Sequence, residues 1–337
     1  MPATTADFPI IEPLNQAAEL AANWLTQLKP FWQNMQSGVL TSTDNIALHY
    51  VYQRVEGASH AVVISSGRME MAIKYAELCF ELVQAGYSVF LLDHRGQGLS
   101  QRELTNPHKG YIQDFSLYEQ DIAQFVQQIV LPTGHQSHIA LGHSMGCAIL
   151  AGYLHKPNPF RAAILASPMF GIYTGLVPAS VAEAIALGFG AINQRLSKTP
   201  WYFPGQGNYR EKDFVNNPLT SCIQRYQWLN QLYREYPEAQ LGGVTAHWVK
   251  AAIYAMRRLQ QNAAKWHTPV LLLQAASDKV VSNHAQNNWF QQLPDSVPHQ
   301  QLVLQGARHE IFMEQDSIRQ QAISAMNNFL AQLPPTQ

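Results

Sequence analysis

The 337 residues exceed the roughly 100–200 typical of one domain and carry 22 Lys+Arg against 23 Asp+Glu, a formal charge of -1. No basic run exceeds Arg257–Arg258, so the counterion release that drives nucleic-acid binding has little to act on and no nucleic-acid partner is expected. Charged residues are only 13%, and the scattered Cys79, Cys147 and Cys222 lack a C-x-x-C pair, so neither disulfide framework, zinc site nor cofactor is expected.

The stretch Met1–Phe8 has no basic patch followed by an apolar run, and no apolar stretch reaches the ~18 residues of a bilayer span. A cytoplasmic protein is expected, with at most weak peripheral contact on the inner membrane face. Residues 15–28 place Ala18, Ala21, Trp24, Leu25 and Leu28 at helical spacing, an amphipathic helix within an N-terminal extension over 1–36. Its polar face has no Lys or Arg before Lys29, which favours packing on the protein itself over a membrane interface.

From Val39 to Val55 two β-type runs flank Thr41–Asn45, a hairpin. An alternation follows: strand Ala61–Ser65, helix Met71–Ala85, strand Tyr87–Leu92, helix Leu117–Val130, strand His138–Leu141, helix Ser144–His155, strand Ala162–Ala166. Such alternation predicts an α/β fold with a mostly parallel, doubly covered sheet and chemistry at the carboxyl ends of its strands. The pattern stops after Met169 and resumes at Pro269–Leu273; residues 169–268 read as a helical cap insertion between core segments 37–168 and 269–333. A helix at Gln286–Gln292, a strand at Gln301–Leu304 and a helix at Asp316–Leu333 complete the core.

Gly142-His143-Ser144-Met145-Gly146 falls between a strand and a helix. The pentapeptide alone recurs by chance, but in that position it reads as the tight turn that lifts a nucleophilic serine clear of the sheet. A serine hydroxyl needs a histidine to take its proton and a carboxylate to orient that histidine. Asp278 and His309 each lie just past a later strand, in the order Ser, Asp, His. His143 is the main decoy among 13 histidines, since the turn points neighbouring side chains apart. Asp93 and Glu310 compete for the carboxylate role; Asp93 is expected instead to order its loop by pairing with Arg95, and Glu310 would strain to reach the adjacent His309 ring. The oxyanion of an acyl-transfer intermediate needs backbone donors: Met145 after the nucleophile and Arg68 in Ser65-Ser-Gly67-Arg68, unless Gly67 is only a turn residue.

These stretches, with Val62–Leu78 and Leu92-Asp-His-Arg-Gly-Gln-Gly-Leu-Ser100, resemble the bacterial lysophospholipase and monoacylglycerol lipase family of α/β-hydrolases over about residues 37–333. Asn217–Tyr226 and Leu241–Trp248 look like the lysophospholipase branch. Ser66-Gly67 stands where monoacylglycerol lipases usually carry His-Gly. The resemblance implies a Ser144–His309–Asp278 triad, an oxyanion hole at Arg68 and Met145, and a lid over an acyl-chain pocket for a small lipid-like ester. The insertion's Phe170, Tyr173, Trp201, Tyr202, Phe203, Trp228, Tyr233, Trp248 and Tyr254 could line such a groove, most of them as cap core. An acyltransferase, thioesterase or peptidase with the same triad, and a catalytically silent binding protein, are the competing readings.

Overall fold

The computed structural model describes residues 8–334; the reading of Met1–Asp7 falls outside them. The helical pattern at 15–28 forms a continuous segment of 3₁₀, α (α1, Leu20–Asn23), π (Trp24–Leu28) and α (α2, Lys29–Asn34) turns. Its buried stripe is Ala17, Leu20, Trp24 and Leu28, whereas Ala18, Ala21 and Leu25 are exposed. The partner surface explains the rotation, because this stripe packs against Trp228, Leu229 and Leu232 of the insertion as well as Met71 and Ala76 of the core.

Eight strands form one sheet in the order β1-β2-β4-β3-β5-β6-β7-β8. β1 (Gln36–Thr41) and β2 (Ala47–Gln53) make the antiparallel hairpin. β3 (His60–Ser65), β4 (Ser88–Leu92), β5 (Ser137–His143), β6 (Phe160–Ala166), β7 (Val270–Ala275) and β8 (His299–Leu304) run parallel. β3, β4, β5 and β7 are buried at every position, as their unbroken apolar runs require when both sheet faces are covered. One face carries α4 (Ser116–Phe125), α5 (Met145–Leu154) and, further along the chain, α8 (Ala246–Asn262); the other carries α3 (Ala76–Gln84) and α10 (Asp316–Ala331).

Between β6 and β7 the chain leaves the sheet and builds α6 (Ala179–Leu196), α7 (Ile223–Glu235) and α8. α9 (Asn283–Phe290) follows β7. Arg225 of α7 ties this segment down: its guanidinium reaches Glu77 on α3 at 2.7 Å and Asp316 on α10 at 2.8 Å. A charge pair that deep is retained only when its hydrogen bonds are met, and here they are.

Candidate active site

β5 ends in the Gly142–Gly146 turn, and α5 starts at Met145. Ser144 sits at φ +52°, ψ -116°, a conformation few non-glycine residues adopt and one held by surrounding structure. That structure is visible on both sides: Ser144 N–H donates to Ala166 O (3.0 Å), and Ser144 O accepts from Met169 N–H (3.1 Å). A Cβ at Gly142 would come within 2.9 Å of Cys147 Cα, and one at Gly146 would overlap the Ser65 carbonyl. Glycine is required at both positions because the turn is wedged between β3 and its own helix.

Two later loops meet this turn. His309 Nε2 lies 2.9 Å from Ser144 Oγ, and His309 Nδ1 lies 2.8 Å from Asp278 Oδ2. The other Asp278 oxygen accepts from the Val280 and Val281 amides at 2.7 and 3.1 Å, so the carboxylate is fixed before it meets the ring. All three residues are buried. Met145 supplies the first amide of α5, which helix geometry leaves without an intrahelical acceptor. The Arg68 amide has no acceptor among the described residues either, whereas its neighbour Gly67 donates to Glu70 Oε2 at 2.7 Å. Gly67 is glycine for a different reason from the expected bend toward the serine: a Cβ there would collide with the Glu70–His143 pair.

The rejected candidates have other partners. Asp93 accepts from the Ala72 and Leu99 amides and His49. It does order its loop, but not through Arg95, whose buried guanidinium pairs instead with Asp44 and Asp121, which between them accept from Nε, Nη1 and Nη2. His143 contacts Glu70 Oε1 through Nδ1 (2.7 Å) and His309 O through Nε2 (3.1 Å). Both neighbours are acceptors, so both ring nitrogens carry hydrogen and the ring is an imidazolium. Burial works to lower its pKa, but the Glu310 and Glu70 carboxylates outweigh that and hold it above the ordinary histidine value.

This cluster is the part of the site that motif reading missed. Glu70 accepts from Gly67 N–H, His143, Tyr75 Oη (2.6 Å) and Lys74 Nζ (2.9 Å), and Lys74 also donates to Glu310. Burial alone would raise the Glu70 pKa; Lys74 and His143 drive it well below the carboxylate range. For Lys74, burial is likewise overcome by Glu310 and Glu70, which push the ammonium upward. Two anions and two cations thus bind the Gly67–Arg68 loop, the residue before Ser144 and the residue after His309 into one buried unit. The signal in the sequence was a Glu-x-x-x-Lys spacing in otherwise apolar surroundings, which a surface helix would show equally well. Glu70, His143 and Glu310 present ligand-type atoms within 4.8 Å of one another, but Lys74 already supplies the positive charge between the two carboxylates.

Ser144 and His309 open on a cavity of about 1270 Å³ whose walls come from both core and insertion. Phe170, Phe203, Tyr233 and Trp248 line it, as does Tyr209, which motif reading did not single out. Trp228 is buried in the packing beneath the N-terminal helix, and Tyr173 and Tyr254 face outward.

A family model described as Hydrolase_4, serine aminopeptidase, S33, matches residues 56–316. The chain is 36% identical to Lysophospholipase L2 of Escherichia coli over 315 residues, 92% of this chain and 91% of that one. It is 32% identical to the probable lysophospholipase L2 of Haemophilus influenzae, over 91% of this chain and 95% of that one. A soluble variant of monoglyceride lipase from Saccharomyces cerevisiae, solved with a substrate analog, superposes with a TM-score of 0.65 at 17% identity, covering 89% of this chain and 97% of that one. With that match in sequence and architecture, the chain belongs to the Hydrolase_4 (serine aminopeptidase, S33) family and has the α/β-hydrolase fold.

Proposed function

We propose that the protein hydrolyses carboxylic esters of single-acyl lipids through an acyl-serine at Ser144, with residues 169–268 as the cap over its acyl pocket. The observation that carries this reading is the unbroken hydrogen-bond chain Ser144–His309–Asp278 opening on a large cavity whose lining surface is mostly apolar. The lysophospholipase and monoglyceride lipase relatives support a single-acyl lipid as substrate. His309 Nε2 takes the Ser144 proton as Oγ attacks the ester carbonyl, and Asp278 steadies the imidazolium that forms. The amides of Arg68 and Met145 receive the oxyanion; one such donor is typically worth ~10²–10³ in rate. Collapse expels the glycerol-side alcohol, which takes its proton from His309. Water then attacks the acyl-serine with His309 as base, releasing the fatty acid.

Weak peripheral membrane contact belongs to the same proposal. α6 turns Ala182 and Ala186 toward the cavity, while Val181, Ile185, Ile192 and Leu196 stand exposed on its outer face, preceded by Leu176 and Val177. An apolar surface of that kind marks an interaction site. Among the described residues no helix is long and apolar enough to cross a membrane.

Ser144→Ala is expected to reduce turnover of p-nitrophenyl acyl esters to the residual that binding and the oxyanion hole give, ~10³–10⁴ over water. A fluorophosphonate probe should label Ser144 in the folded wild type. Retained turnover in the variant, or no adduct, would remove the basis of the proposal; amide and thioester substrates run in parallel separate esterase from peptidase and thioesterase.

A further inference from the structure

Arg68 has a side chain that the acyl-transfer chemistry does not use. Its backbone amide belongs to the oxyanion loop, while its guanidinium extends toward the insertion, donating from Nη1 to Gly242 O at 3.0 Å. Its Nη2 contacts Met69 Sδ at 2.9 Å, and its Cζ lies 5.6 Å from the centre of the Trp248 ring. Arg68, Trp248 and Ser144 all line the one cavity. Of the five N–H groups a guanidinium carries, two therefore find acceptors, both neutral, and no carboxylate of the described residues pairs with it. The contrast with Arg95, Arg225 and Arg319 is sharp: each of those buried cations faces carboxylates. Burial without a counter-ion pulls the Arg68 pKa down to about 10, so the cation is retained at some cost and would gain from an anion arriving beside it.

We propose that the Arg68 guanidinium is the subsite for the phosphodiester of a single-acyl phospholipid whose ester carbonyl sits at Ser144. The inference rests on the ester-hydrolase reading and names its substrate class. Arg68 sets its backbone beside Ser144 and its guanidinium against Gly242 and Trp248 in the cavity wall, one side-chain length away. In a lysophospholipid, a short glycerol segment of comparable length separates the ester from the phosphate. The planar fork matches two phosphate oxygens, a geometry that a neutral monoacylglycerol hydroxyl cannot exploit. The neighbouring wall is also polar: Tyr233 donates its hydroxyl to Met69 O and its ring lies 5.5 Å from that of Tyr209. Exposed Arg210 and Lys212 also line the cavity, with Glu211 between them.

Binding tests this without relying on turnover. Ser144→Ala protein is titrated calorimetrically with dodecylphosphocholine below its micelle concentration, with 1-O-dodecylglycerol and with inorganic phosphate. Adding Arg68→Met is expected to weaken dodecylphosphocholine by about 10- to 100-fold relative to dodecylglycerol, as loss of a charge-assisted hydrogen bond implies. Arg68→Lys, which keeps the cation and the fold but not the fork, should fall between. Equal weakening of both amphiphiles, or weakening of neither, overturns the proposal, as does inorganic phosphate binding as tightly as the phosphocholine. Wild-type turnover of p-nitrophenyl butyrate reports separately on the esterase reading. If turnover persists while the affinity ratio stays fixed, only the subsite falls; if the ratio shifts but Ser144 neither labels nor turns over, only the esterase reading falls.

Discussion

At the scale of single residues, the site depends on how few conformations each group retains. Asp278 is held by two amides as well as by His309, and Ser144 is locked in a positive-φ turn. Glu70 is the less obvious member, because it touches none of the triad side chains yet holds Gly67, His143, Lys74 and Tyr75 at once. Glu70→Gln keeps the shape but removes the charge that two cations face. The expected result is a fall in kcat/KM of about 10- to 100-fold, carried mainly by kcat, as the Gly67–Arg68 loop proposed to receive the oxyanion loosens. The His143 imidazole should also titrate at lower pH, readable by NMR. The sign follows from the partners: a histidine raised in the fold stabilises it fully below about 6.5, and that stability is lost as pH rises through the folded value. Unchanged kinetics in Glu70→Gln would show that the cluster does not position the loop.

At the scale of elements, the insertion is fastened at one side and bare at the other. Arg225 anchors α7 to α3 and α10, while Thr245 caps α8 by accepting from Trp248 N–H. α6 has its inner side over the cavity and its outer side unpartnered. With a net charge of -1 the protein has no electrostatic pull toward an anionic surface, so any membrane contact must come from apolar insertion at about 1–2 kcal/mol per buried side chain. Co-sedimentation with phosphatidylcholine vesicles is expected to be weak and insensitive to salt. It should fall several-fold in Ile185→Asp/Ile192→Asp, while hydrolysis of a water-soluble short ester continues. Vesicle binding that survives the double substitution would place the contact elsewhere.

At the scale of the whole molecule, buried histidines tie stability to pH. His94, fully buried and hydrogen-bonded to Ser65 Oγ at 2.9 Å, is pulled by burial down to about 4, and His138 and His155 behave alike. A base depressed in the fold stays neutral there while the unfolded chain takes up protons. Stability is therefore full above about pH 6.5 and declines as pH falls toward 4. For His94 the full difference is on the order of 3 kcal/mol. The half-buried Glu103 and the buried Glu119, whose pKa values desolvation raises, oppose this in the lower part of the window. The histidine share is thus read as a difference: urea midpoints at pH 7 and 4.5 should drop less in His94→Gln than in wild type. Parallel slopes would refute it.

The sequence by itself determined the α/β alternation, the place where it breaks, and the three residues that meet at the end of the sheet. These are local consequences of unbroken apolar runs, of glycines at a turn too tight for Cβ atoms, and of loops that follow strands. Tertiary structure alone decided what crosses between distant segments. The N-terminal helix turned its Ala17–Leu20–Trp24–Leu28 edge inward because α7 lies against it, a partner some 200 residues away that no helical period encodes. Arg95 chose Asp44 and Asp121 over its near neighbour Asp93. Lys74 gained meaning only when Glu70 and Glu310, 240 positions apart, closed on it in the buried interior, where an unpaired charge could not remain.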